Sequence, residues 1–111
     1  MAENGGSDAM RGETLRDLLG RAPVPARRAM LTKFLVERLR EALGDDSDAV
    51  SATAGFEAMG VDSRMAVELK EVLEEKLAIP LGTTLLFDQP NVRQLTDHLI
   101  ERLDREAAAT R

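Results

Sequence analysis

The stretch Gly60-Val61-Asp62-Ser63-Arg64 sets a serine between an acid and a base, the first candidate for chemistry in a chain of 111 residues. A serine hydroxyl becomes a nucleophile when a base takes its proton and an acid orients that base. The sequence offers one imidazole, His98, which reads as a surface residue of a late helix, and no Gly-x-Ser-x-Gly turn surrounds Ser63. With zero cysteines there is no thiol nucleophile, thiolate metal site or disulfide framework. No glycine-rich phosphate loop, calcium-loop pattern or histidine metal motif occurs. The glutamates that follow the serine, Glu68, Glu71, Glu74 and Glu75, are spaced along one helix face and do not resemble a buried acid–base pair. Hydrolase chemistry therefore lacks its parts, and a non-catalytic protein is expected. Two uses of Ser63 stay open on spacing alone: a helix-capping residue beside a solvated charge row, or a hydroxyl displayed on a recognition face.

Composition narrows the partners. Twenty acidic against 15 basic residues leave a formal charge of −5, which disfavours nucleic acid and suits a basic protein partner. No apolar run approaches a membrane span, and the first ten residues have neither the charge nor the apolar stretch of a signal peptide, so a cytoplasmic, monomeric protein without a membrane partner is expected. Three phenylalanines with no tyrosine or tryptophan leave the core to aliphatic side chains, a palette that suits packed helices.

The elements that must position Ser63 follow from periodicity. Residues 1–24 are expected to be a flexible linker holding a short helix, capped by Thr14, ended by Gly20 and followed by an extended Ala22-to-Pro25 segment. A domain should occupy residues 25–104. Its first helix spans Ala26 to Leu43, with Met30, Leu31, Phe34, Leu35 and Leu39 at helical spacing. A long loop from Asp45 to Asp62 is pinned by Phe56. The second helix runs from Ser63 to Leu77 with Asp62 as cap; Met65, Leu69, Val72, Leu73 and Leu77 face the core, and Arg64, Glu68, Glu71 and Glu75 face away. Val67 and Glu74 neighbour Ser63 along the surface. Thr83 to Phe87 allows one short helical turn, and Asn91 caps a last helix carrying Val92, Leu95, Leu99 and Leu103. Residues 105–111 read as a disordered tail. The fold class is all-α, a small four-helix bundle with three long helices and a short third.

These residues carry a resemblance. Phe56-x-x-x-Gly60-x-Asp62-Ser63, Met65-Ala-Val-Glu-Leu69, Leu81, Leu86-Phe87-Asp88-x-Pro90 and Leu95-x-x-x-Leu99 resemble the acyl carrier protein domain of modular polyketide synthases, in order, from about Arg27 to Leu103. The resemblance implies that Ser63 is the attachment point for 4′-phosphopantetheine, joined from coenzyme A by a phosphopantetheinyl transferase. Acyl intermediates would be held on the arm's thiol, which also explains how a chain without cysteine could form thioesters. It implies further that the acidic second helix meets basic patches on ketosynthase, acyltransferase, ketoreductase and transferase domains, with Glu68, Glu74 and Glu75 at matching positions, Glu71 on the same row and Val67 as the apolar centre.

One residue departs from the family's pattern: Arg64 stands where leucine commonly follows the modified serine, which bears on which transferases and ketosynthases accept the domain. The alternatives are a peptidyl carrier domain of a nonribosomal peptide synthetase, disfavoured by Asp62 where that family typically has histidine, and a carrier fold kept as an interaction domain without its modification.

Overall fold

A computed structural model describes residues 14–44 and 50–109. Six helices occur among the described residues: α1 (Leu15–Arg21), α2 (Val24–Ala42), α3 (Phe56–Met59), α4 (Ser63–Leu77), α5 (Leu85–Asp88) and α6 (Val92–Ala109). Three are long and three are short, so the all-helical bundle is present: α1 is the short helix expected in the linker, α2, α4, α5 and α6 are the expected four, and α3 is the one addition.

The long helices build the core through aliphatic residues spaced three or four apart. Leu31, Leu35 and Leu39 of α2, Leu69, Leu73 and Leu77 of α4, and Val92, Leu95 and Leu99 of α6 are all buried. Helices α2 and α6 pack along a seam where the Thr32 and Thr96 hydroxyls lie 3.4 Å apart. That contact satisfies Thr96, which is itself buried and would otherwise carry an unpaired hydroxyl.

Helix α1 begins in a capping box: Thr14 Oγ1 accepts from the Asp17 amide at 3.2 Å, and Asp17 Oδ2 accepts from the Thr14 amide at 3.1 Å. It does not stop at Gly20. The helix runs through Arg21 and ends at Ala22, whose extended backbone is what a residue before proline prefers. The extended Ala22-to-Pro25 linker is also corrected, because Val24 and Pro25 already form the first turn of α2, where proline's missing donor costs nothing. Nor does α1 stand free of the bundle. Leu19 is 2% exposed, and the Arg16 guanidinium donates to the carbonyls of Leu77 at 3.5 Å and Ala78 at 3.0 Å. Residues 1–13 of the expected linker lie outside the described residues.

The expected loop contains α3, and Asp45 to Asp48 fall outside the described residues. Phe56 is buried as the anchor expected of it, and its amide donates to the Pro90 carbonyl at 2.8 Å. A second bond from the Arg93 amide to Ala52 O, 2.9 Å, ties the same loop to the start of α6. That start is capped by Asn91, whose Oδ1 accepts from Gln94 N at 2.8 Å. At the other end α6 continues past residue 104 to Ala109, correcting the expected tail over residues 105–109, while 110 and 111 lie outside the described residues; an alanine run has the highest helix propensity.

The C-terminal end of α4 is a junction. Ala78 adopts a left-handed conformation with φ 56°, the one non-glycine positive φ among the described residues. Arg16 from α1 covers its carbonyl, Arg102 from α6 donates to Pro80 O at 2.8 Å, and Glu74 Oε2 accepts from the Leu81 amide at 2.8 Å. Lys70 Nζ lies 3.2 Å from the other Glu74 oxygen. The Leu81 amide first, and Lys70 second, hold the Glu74 carboxyl below its ordinary 4.5.

Two outcomes are expected. Leu35, at 0% exposure, should cost about 2–5 kcal/mol of stability when replaced by alanine, read by urea denaturation. For Glu74 the folded-state pKa lies below the unfolded one, so its contribution is complete above the unfolded value and is lost as pH falls through the folded value. The wild-type advantage in thermal midpoint over Glu74→Gln should therefore be present at pH 7 and vanish below the ordinary carboxyl range; an advantage unchanged at acid pH would contradict this.

Candidate functional site

The approach to α4 is fixed residue by residue. Gly60 ends α3 with φ 101°, a left-handed conformation that glycine adopts without steric cost. The Val61 amide then donates to Phe56 O at 3.0 Å and its side chain is buried, which anchors the chain one residue before the turn outward. Asp62 is extended, its Oδ1 accepts from the Met65 amide at 2.9 Å, and its carbonyl takes the first helical bond, from Ala66 N at 2.9 Å. Asp62 is thus the cap, and Ser63 is the first helical residue.

Ser63 is exposed, and its hydroxyl makes no hydrogen bond to any described residue. Capping does not occupy it. The amides of Ser63 and Arg64 also lack partners among the described residues, as first-turn amides do, and they share the partial positive charge of the helix start. The site can therefore receive a covalent anion on Oγ: the hydroxyl is reachable, and charge placed there meets free donors. These features fit a serine-linked phosphodiester.

The helix presents a mixed face beyond the serine. Arg64 Nε lies 3.5 Å from Glu68 Oε2, with the two side chains 87% and 60% exposed. Val67 is 42% exposed and Glu71 and Glu75 are exposed beside it. Glu74 differs from its neighbours: its carboxylate is bound to Lys70 and the Leu81 amide, so it braces the fold beside this face. His98 sits half-buried on α6 with Asp97 and Glu101, in a depression to which α4 contributes no residue. No hydrogen bond joins it to Ser63 among the described residues.

Two features were not anticipated from sequence. Phe87 on α5 is 65% exposed, and it borders an apolar depression of about 240 Å³ with Phe56, Val61, Ala66 and Pro90. The signal was in the length of α5: four residues that bury Leu85 and Leu86 have no inward direction left for the next side chain.

The sequence and fold both have known likenesses. Residues 33–99 match the family described as "Phosphopantetheine attachment site", whose members carry covalently attached 4′-phosphopantetheine. The chain is 37% identical over 75 residues to erythronolide synthase EryA3 of Saccharopolyspora erythraea, covering 67% of this chain and 2% of that protein. It is 36% identical over 104 residues to polyketide synthase GfsA of Streptomyces halstedii, covering 92% of this chain and 1% of that protein. The chain thus spans a very small part of these relatives. Among solved structures, the A1-type ACP domain from module 5 of MLSA1 superposes with a TM-score of 0.69 at 27% identity, over 79% of this chain and 89% of that one. A free-standing peptidyl carrier protein from Acinetobacter baumannii shares the fold, with a TM-score of 0.64 at 22% identity over 68% of this chain and 95% of that one. A hydroxyl left free at the start of α4, in a helical carrier fold whose sequence matches over most of the bundle, marks this chain as a member of the phosphopantetheine attachment family.

Proposed function

We propose that Ser63 is the residue that bears the arm and that the chain is an acyl carrier domain of a polyketide synthase. The observation that carries this is the division of labour at the start of α4: Asp62 takes the cap, and the Ser63 hydroxyl is left exposed and unbonded. In the attachment step Oγ bonds to the β-phosphorus of coenzyme A, the pyrophosphate P–O bond breaks, adenosine 3′,5′-bisphosphate leaves, and the hydroxyl proton passes to a base of the transferase. When bound, the arm supplies a mobile thiol that holds acyl groups as thioesters.

The chain's own residues then position and present. Val61 and Asp62 hold the attachment point at a fixed place on the bundle, and the free first-turn amides stabilise the new negative charge. Tethering raises the effective concentration of cargo at each partner's active site. The exposed Glu68, Glu71 and Glu75 with Val67 form the surface that basic partner domains meet, among them the transferase, ketosynthase, acyltransferase and ketoreductase. Glu74 contributes to that field while bracing the α4–α5 junction. Bond making belongs to those partners. We place that work in the cytoplasm; no described helix is long and apolar enough to cross a membrane.

The test is intact mass before and after incubation with coenzyme A, magnesium and a broad-range phosphopantetheinyl transferase. Wild type should gain one phosphopantetheine, and Ser63→Ala should gain none while keeping its helical circular dichroism, because the cap is Asp62. An equal gain in both proteins would refute the assignment.

A further inference from the structure

We infer that Arg64 is a charge switch worked by the modification itself: once Ser63 carries a phosphodiester, the Arg64 guanidinium leaves Glu68 and holds the phosphate, and Glu68 is set free on the partner face. The inference rests on Ser63 as the attachment residue.

Its first support is the charge inventory around the serine. Between Gly55 and Leu69 the sequence carries Glu57, Asp62 and Glu68 but one cation, Arg64. A phosphodiester on Ser63 adds a fourth negative charge beside the Asp62 carboxylate, which is already committed to the Met65 amide and offers the phosphate no donor. Arg64 is the neighbouring residue and brings a planar set of donors suited to two phosphate oxygens.

The second support is how loosely Arg64 is held. Its contact with Glu68 runs through Nε at 3.5 Å, between side chains 87% and 60% exposed, with no second partner for the guanidinium among the described residues. Ion pairs of this kind are screened and weak. A phosphodiester anchored on the adjacent residue competes at high effective concentration and with paired, charge-assisted hydrogen bonds. Arg64 lies in the first turn, where no earlier turn of helix stands between its flexible stem and the Ser63 side.

The consequence falls on recognition. In the bare protein Arg64 masks Glu68, the acidic residue of the exposed row nearest the serine. In the armed protein that carboxylate joins Glu71 and Glu75, so partners that require a loaded carrier meet one more unpaired acid than the transferase that meets the bare one.

NMR of the whole chain, bare and armed, with arm attachment verified by intact mass, tests the switch. The probes are the phosphorus resonance of the arm and the Arg64 side-chain Nε–H signal. The Nε–H signal should shift on attachment. The phosphorus resonance should differ between wild type and Arg64→Gln, be partly restored by Arg64→Lys, and be unmoved by Glu68→Gln. Salt at high concentration should erase the difference. A phosphodiester resonance indifferent to Arg64→Gln, with an Nε–H signal identical in bare and armed protein, would overturn the switch and leave Ser63 as the attachment residue. No phosphodiester on wild type, or one that persists in Ser63→Ala, would defeat the attachment assignment and the switch with it.

Discussion

One hydrogen bond, from the Met65 amide to the Asp62 carboxylate, decides what the start of α4 can do. A helix must satisfy its first amides, and a serine beside that start is a natural candidate for the task. Here the aspartate one position earlier takes it. The serine moves into the first turn, where its hydroxyl has no structural duty and points to solvent. The same residue types in the reverse order would have tied the hydroxyl to the backbone.

The rest of the bundle serves that placement. Val61 is buried immediately before the cap, and Leu69 and Leu73 bury the helix after it, so the exposed start of α4 lies between two anchored points. The loop that delivers the chain to Val61 is itself bonded to the start of α6 through Phe56 and Arg93. At the far end of α4, side chains from α1 and α6, together with Glu74, satisfy the backbone groups around the left-handed Ala78. A helix held at both ends can expose a long charged face without depending on that face for stability, since surface ion pairs contribute little. Charge there is available for recognition.

Much of this was legible in the residues. The α4 span from Ser63 to Leu77, the Phe56 anchor, the Asn91 cap and the aliphatic core follow from period and capping chemistry, which act locally. What was misread depends on tertiary partners or on competition between local signals. Gly20 looked like a terminator, yet the proline at 23 sets the end of α1. Arg16 and Leu19 looked like linker residues because nothing local reveals that they meet the end of α4 and the core. Glu74 belongs by spacing to a solvated row, but a backbone amide seven residues ahead claims its carboxylate. The four-residue α3 and the outward Phe87 are set by how short segments fit against the bundle, which no periodicity reports.

The claim at the centre is that this hydroxyl, and no other, takes the arm. Proteolysis of the transferase-treated protein followed by fragmentation mass spectrometry, locating the added mass to a residue, tests it most directly. Fragments that place the phosphopantetheine on Ser63 and leave Ser51, Thr83 and Thr84 unmodified are the predicted result. Phosphopantetheine on any of those other hydroxyls, with Ser63 bare, would contradict the account.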